Sequence, residues 1–175
     1  HWVNYVAQVT AWQPDELELA VPLTPNRYLT PQEQIPFRFE NALEALTAPG
    51  EWCLDSAAGC IYFWPGNGID PATAAYTVPR LTCLIRIDGT AANAAHNIHV
   101  RGLRFRGTAD PDETGRAALE LHNAIDCDIR DCVFEGLGGT AISGTGITRR
   151  NRIAGCRISD CGQNGITIQA PSPAR

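Results

Sequence analysis

Two residue types are missing from this 175-residue chain, methionine and lysine, so all 14 of its basic side chains are arginine. A chain that opens His1-Trp2-Val3 without a methionine reads as processed or cut from something longer. No signal peptide lies within these residues, and a segment before them could have carried one, which leaves export open. Long apolar runs are absent too. No stretch approaches the ~18 apolar residues of a membrane-spanning helix, so no membrane partner is expected. Charge is scarce at 19 % of residues, against roughly 25 % in ordinary soluble domains. The formal net charge of −5 argues against nucleic acid or another polyanion as partner. The deficit is uneven: residues 1–88 hold four arginines against ten acids, and residues 89–175 hold ten against nine.

What is present is enough for a core and for many turns. Apolar residues make up 44 %, which excludes wholesale disorder. Sixteen glycines and twelve prolines imply a chain that turns often.

The second half repeats itself. Residues 98–105, 127–134 and 151–158 align without gaps around one apolar pattern, in steps of 29 and 24. A second family of short alternating strands begins at Ile85, Leu119, Ile142 and Ile166, in steps of 34, 23 and 24. Insertions around residues 90–95 and 108–116 account for the longer first steps. The helical spacing i, i+3, i+4, i+7 is missing, and so is the framework of a leucine-rich repeat. Short strands recurring every 23–24 residues between Gly, Asn and Asp turns predict a parallel β-solenoid, each coil stacked about 4.8 Å on the last. Its inward ladders are expected to be Ile85/Leu119/Ile142/Ile166, Phe105/Phe134/Ile158 and Leu103/Cys132/Cys156.

The first half follows other rules. Residues 3–10 and 16–21 alternate like strands around a turn at Gln13-Pro14-Asp15. Asn41 and Glu44 have capping-box spacing and predict a short helix near 41–46, stopped by Pro49-Gly50. Residues 51–64 read as a β-hairpin with Gly59 at its tip, and 65–79 as a linker into the first coil. Of the tryptophans at 2, 12, 52 and 64, Trp52 and Trp64 are expected to pack the hairpin onto that coil.

Seven cysteines leave at least one unpaired within the chain. Cys53 and Cys60 could join across the hairpin only if both fall on one face. The C-x4-C pairs 127/132 and 156/161 are looser than usual zinc spacing, and Cys132 and Cys156 read better as small core residues. The alternating acids Asp126, Asp128 and Asp131 do not make a calcium cage. No metal or cofactor is expected.

The run from Phe39 through Glu40-Asn41-Ala42, Glu44-Ala45-Leu46 and Pro49-Gly50-Glu51-Trp52 to Asp55, then Gly59, Tyr62 and Trp64-Pro65, resembles a segment of bacterial right-handed parallel β-helix proteins. These are carbohydrate-active proteins, glycoside hydrolases and relatives of polysaccharide lyases, in which such a run directly precedes the helix. The resemblance spans about residues 35–169 and implies a carbohydrate substrate. Such proteins run to many more coils and carry their catalytic acids on later ones, so no catalytic residue transfers by motif. The resemblance implies that this chain is an N-terminal portion of a secreted or periplasmic protein, catalytically incomplete by itself.

Alternation along the strands still nominates a site. With Ile85, Ile87, Leu119 and Leu121 inside, Arg86/Glu120/Ser143/Thr167 and Asp88/His122/Thr145/Gln169 face out. Asp88 and Glu120 are the candidate carboxylate pair, with Arg86 favouring ionised Glu120 and His122 sharing a proton with Asp88. The plain alternative is a solvated face of cross-strand ion pairs.

The expected protein is thus all-β: an N-terminal segment 1–80, about four right-handed β-helix coils over 81–169, and a tail 170–175. Glycosidic-bond hydrolysis by the carboxylate pair is the leading function. The alternatives are a non-catalytic glycan-binding or structural module and a polysaccharide lyase. An uncapped last coil implies self-association.

Overall fold

A computed structural model describes residues 7–20, 39–110 and 116–169. The predicted strand at 3–6, residues 111–115 of the second insertion, Trp2 and the tail 170–175 lie outside the described residues. The chain is all-β with parallel sheets. Its strands are β1 (Val9–Gln13), β2 (Glu16–Leu19), β3 (Trp52–Asp55), β4 (Cys60–Phe63), β5 (Ile85–Asp88), β6 (Ala95–His96), β7 (His99–Arg101) and β8 (Arg104–Arg106). They continue as β9 (Ala117–His122), β10 (Ala124–Ile125), β11 (Asp128–Arg130), β12 (Val133–Leu137), β13 (Thr140–Thr145), β14 (Arg152–Ala154), β15 (Arg157–Cys161) and β16 (Ile166–Ile168). Among the described residues no helix is long and apolar enough to cross a membrane. The chain divides into two compact units, His1–Thr73 and Ala74–Arg175.

In the first unit β1 pairs antiparallel with β2, and β3 with β4. The residues that carry the family resemblance have local structural work here. Glu51 accepts hydrogen bonds from the Thr47 and Ala48 amides at 2.6 and 2.8 Å, which lowers its pKa. Asp55 accepts from Ala57 and Ala58 and so closes the hairpin turn. Asn41 does not form the expected capping box. It sits at φ 57°, and its Oδ1 accepts from the Leu54 amide at 2.7 Å. With that oxygen committed to β3, the predicted helix shrinks to a single 3-10 turn, Leu43–Ala45, without a side-chain cap. Cys53 faces Tyr62 and Cys60 faces Asp55. The two thiols are therefore diagonal, roughly 7–8 Å apart at the backbone, too far for a bridge. Both are free. Trp52 pairs with Phe63 across the hairpin, and the Trp64 amide donates to Glu51 O at 2.9 Å.

In the second unit successive tiers of chain each add one strand to the same sheets. The orders are β16-β13-β9-β5, β15-β12-β8, β14-β11-β7 and β10-β6, and every pairing is parallel. The ladders Ile85/Leu119/Ile142/Ile166 and Phe105/Phe134/Ile158 run in register. The Phe105 and Phe134 rings stack 4.5 Å apart at 5°.

Turns between strands are stacked as well. Asn97, Asp126 and Arg150 share left-handed backbone at φ 57°, 54° and 55°, as do Gly102, Asp131 and Gly155 at 65°, 52° and 64°. One left-handed residue turns the chain sharply, and Gly, Asn and Asp tolerate it best. Arg150 is the exception, and its guanidinium grips Asp126, one tier away, with two 2.7 Å bonds. Tiers approach closely at Gly162, where a Cβ would run into the carbonyl of Gly138.

Burial is concentrated in the middle tiers, where Leu119, Ile129, Cys132, Phe134 and Ile142 are fully enclosed. The third predicted ladder holds only in part. Cys132 is buried, whereas Leu103 is 46 % exposed. The Cys127 and Cys132 thiols lie in this core and donate to the carbonyls of Ile125 and Arg130.

Candidate functional site

Period-2 alternation on β5, β9, β13 and β16 sends every second side chain outward. Register then brings Arg86, Glu120, Ser143 and Thr167 into one row, and Asp88, His122 and Thr145 into a second. All four nominated residues, Arg86, Asp88, Glu120 and His122, thus meet on one face. Over it runs an open groove of about 500 Å³ lined by Arg86, Glu120, His122, Ser143, Thr145, Thr167 and Gln169. Arg116, Thr140, Gln163 and Asn164 complete its wall.

Glu120 is only 14 % exposed at its side chain. Arg86 donates to Glu120 Oε2 through Nε at 2.9 Å and approaches it with Nη2 at 2.6 Å. The hydrogen bond to Glu120 raises the Arg86 pKa and keeps the pair a true ion pair. Asp88 Oδ1 lies 2.7 Å from His122 Nδ1.

Asn123, the left-handed residue that ends β9, decides which form of His122 is present. Its Oδ1 accepts from the Ile147 amide at 3.0 Å, and its Nδ2 donates to Gly89 O at 3.0 Å. Those two bonds fix the amide orientation. The same Nδ2 is 3.2 Å from His122 Nε2, so that nitrogen accepts and Nδ1 carries the proton donated to Asp88. Both ring nitrogens of His122 have a polar neighbour, Asp88 at Nδ1 and Asn123 at Nε2.

Asp126, Asp128 and Glu135 of the second unit are paired with arginines. Asp126 binds Arg150. Asp128 is clamped by Arg130 Nε at 2.7 Å and Arg101 Nη2 at 2.9 Å. The Arg130 hydrogen bond first, and Arg101 after it, hold the Asp128 carboxyl down to about 2 against the opposing effect of burial. Among the described residues no group of three or more His, Cys, Asp or Glu is placed to hold a metal ion.

Sequence reading did not find Arg116, Asn123, Gln163 or Asn164. Arg116 was legible in principle, because counting outward positions back from Glu120 reaches it, but it fell at the edge of an insertion. Asn123 carries no signal beyond being an Asn after a strand; its role needs Gly89 and Ile147 from the neighbouring tiers. Compared with protein-family models, with curated proteins and with solved structures, the chain matches none.

Proposed function

We propose that the second unit winds as a right-handed parallel β-helix and that its groove acts on carbohydrate, hydrolysing glycosidic bonds through Asp88 and Glu120. The observation that carries this reading is the pair of carboxylates at outward positions of adjacent strands, Asp88 on β5 and Glu120 on β9, with Glu120 lining the polar groove. An offset of one strand and two residues sets their Cα atoms roughly 8 Å apart. Inverting hydrolysis uses carboxyls about 6.5–9.5 Å apart and retaining hydrolysis about 5–5.5 Å, and side chains span either from that backbone distance. Glu120, bound to Arg86, suits the base or nucleophile, and Asp88 is the acid. Right-handedness follows the general preference of parallel crossovers. The likeness of residues 39–65 to carbohydrate-active β-helix proteins supports the substrate class, and a secreted or periplasmic location goes with it.

One observation favours a second reading, a glycan-binding module without catalysis. Each carboxylate is already engaged, Glu120 by Arg86 and Asp88 by His122, which leaves neither free to deliver a proton. A lyase gains less support, since His122 Nε2, its natural base, is taken by Asn123.

Release of reducing sugar from a panel of plant and bacterial polysaccharides separates these readings. Activity in the parent, lost in both Glu120→Gln and Asp88→Asn, is the expected result. Activity indifferent to both substitutions moves the chemistry off this face. An inactive parent that still binds glycan makes the second reading the better one.

A further inference from the structure

The stacking of tiers sets one pair of thiols directly over each other. Val133 on β12 pairs with Arg157 on β15, and the Arg157 amide donates to the Cys132 carbonyl at 2.9 Å. Cys132 and Cys156, each one residue earlier, therefore occupy the same rung of adjacent tiers. Parallel strands set their backbones about 4.8 Å apart, inside the roughly 4.4–6.8 Å that a disulfide spans. Their side chains are oriented alike. Cys132 Sγ lies 3.2 Å from Arg130 O and 3.7 Å from Val100 O. Cys156 Sγ lies 3.5 Å from Ala154 O and 3.7 Å from Ile129 O, the partners of those same two residues one tier on. Among the described residues no other two cysteines share a rung. Cys161 pairs with Leu137, Cys53 with Tyr62 and Cys60 with Asp55. Cys127 takes a hydrogen bond partner in Asn151, and Cys83 lies against the Ala118 carbonyl.

Burial assigns the two sulfurs different parts. Cys132 is fully enclosed, whereas Cys156 is half-buried on the last tier, which among the described residues pairs on one side only. We propose that Cys132 and Cys156 form a redox modification site, closing into a cross-tier disulfide when the chain meets a small disulfide oxidant such as oxidised glutathione. The Cys156 thiolate, its proton released to solvent, attacks one glutathione sulfur, forms a mixed disulfide and expels one glutathione thiolate. The two cysteine side chains then rotate towards each other about χ1. The Cys132 thiolate attacks Cys156 Sγ and expels the second glutathione, so two protein thiols are oxidised and one small disulfide is reduced to two thiols. The bond closes a loop from 132 to 156 and restricts the unfolded chain. It also pins the tier that supplies Gln163, Asn164, Thr167 and Gln169 to the groove wall, whatever that groove binds.

Incubating the full chain, folded and fully reduced, in glutathione buffers of rising oxidised fraction tests this, with free thiols then blocked and peptides mapped by mass spectrometry. The expected map links Cys132 to Cys156, with the mass of two hydrogen atoms lost and the other five cysteines blocked as thiols. The melting midpoint of the oxidised chain should lie at least about 8 °C above that of the reduced chain, and a thiol reductant should remove the gap. Cys156→Ala should abolish the gap, and Cys161→Ala should keep it. The parent chain supplies both readouts, so the test holds whether or not a variant folds. Seven free thiols at every oxidised fraction overturn the proposal, as does a map that links another pair or leaves Cys156 joined only to glutathione. A Cys132–Cys156 bridge that leaves the midpoint unchanged overturns the pinning of the last tier.

Discussion

Asp128 shows how much one residue's surroundings matter. By alternation it is an outward position on a solvated sheet, yet its side chain is 8 % exposed, enclosed by Arg101 and Arg130. Its pKa drops from 3.8 to about 2, chiefly through the Arg130 hydrogen bond. A carboxyl with a depressed folded-state pKa contributes stability above its unfolded value and loses it as pH falls through the folded one. The Asp128 contribution should therefore be complete above about pH 4 and fade towards pH 2. Asp128→Asn should lower stability at neutral pH and flatten the acid limb between those values, as read from urea midpoints across the pH series. An unchanged acid limb would show that the arginine clamp contributes nothing to folding. At the same scale, two of the three alternating acids, Asp126 and Asp128, are each held by arginine.

At the scale of elements, the stacked strands behave as ladders, and a ladder is only as good as its enclosed rungs. Phe134 lies between Phe105 and Ile158, fully buried. Phe134→Ala opens a cavity with tiers on both sides that cannot collapse independently, and should cost about 3–5 kcal/mol. Phe134→Leu should cost clearly less, and chemical denaturation compares the two. Similar losses from both would mean that retained volume does not help and that the ring stack with Phe105, which Leu cannot make, carries the contribution. The hairpin element teaches a different lesson. Asn41, Glu51 and Asp55, the polar residues of the most recognisable stretch, each receive a backbone amide. A motif that reads as a family signature therefore has a local structural reason to exist, whatever chemistry the rest of the chain performs.

At the scale of the whole molecule, the sheets of the second unit end on strands that, among the described residues, pair on one side only. β14, β15 and β16 end their sheets, with Ile166 exposed and Ile168 54 % exposed. A depression of about 330 Å³ lined in part by Leu121, Ile153 and Ile168 opens at this end. Open edges of this kind recruit further strands, and we expect concentration-dependent self-association in sedimentation velocity. Charge sets the mode. Head-to-tail stacking would lay Arg152 over His99 and Arg157 over Arg104, so added salt should promote it by screening like charges. A single monomeric species at every concentration and salt level would rule the edge out as an interface.

Sequence alone determined the periodic part of this protein. The inward pattern of Ile85, Leu119, Ile142 and Ile166 set which side chains face out, because a strand's period of two leaves no other choice once one face is buried. Arg86, Asp88, Glu120 and His122 were found that way, before any fold was known. Tertiary structure decided what those residues are free to do. Arg86 closing on Glu120, and Asn123 bridging Gly89 and Ile147, depend on contacts between residues 24 to 34 positions apart. The loss of the Asn41 capping box has the same origin, a hydrogen bond to β3 from 13 residues away. Local pattern specifies the face of a strand; only packing specifies its partners, since those are separated in sequence by loops whose lengths carry no hydrophobic signal.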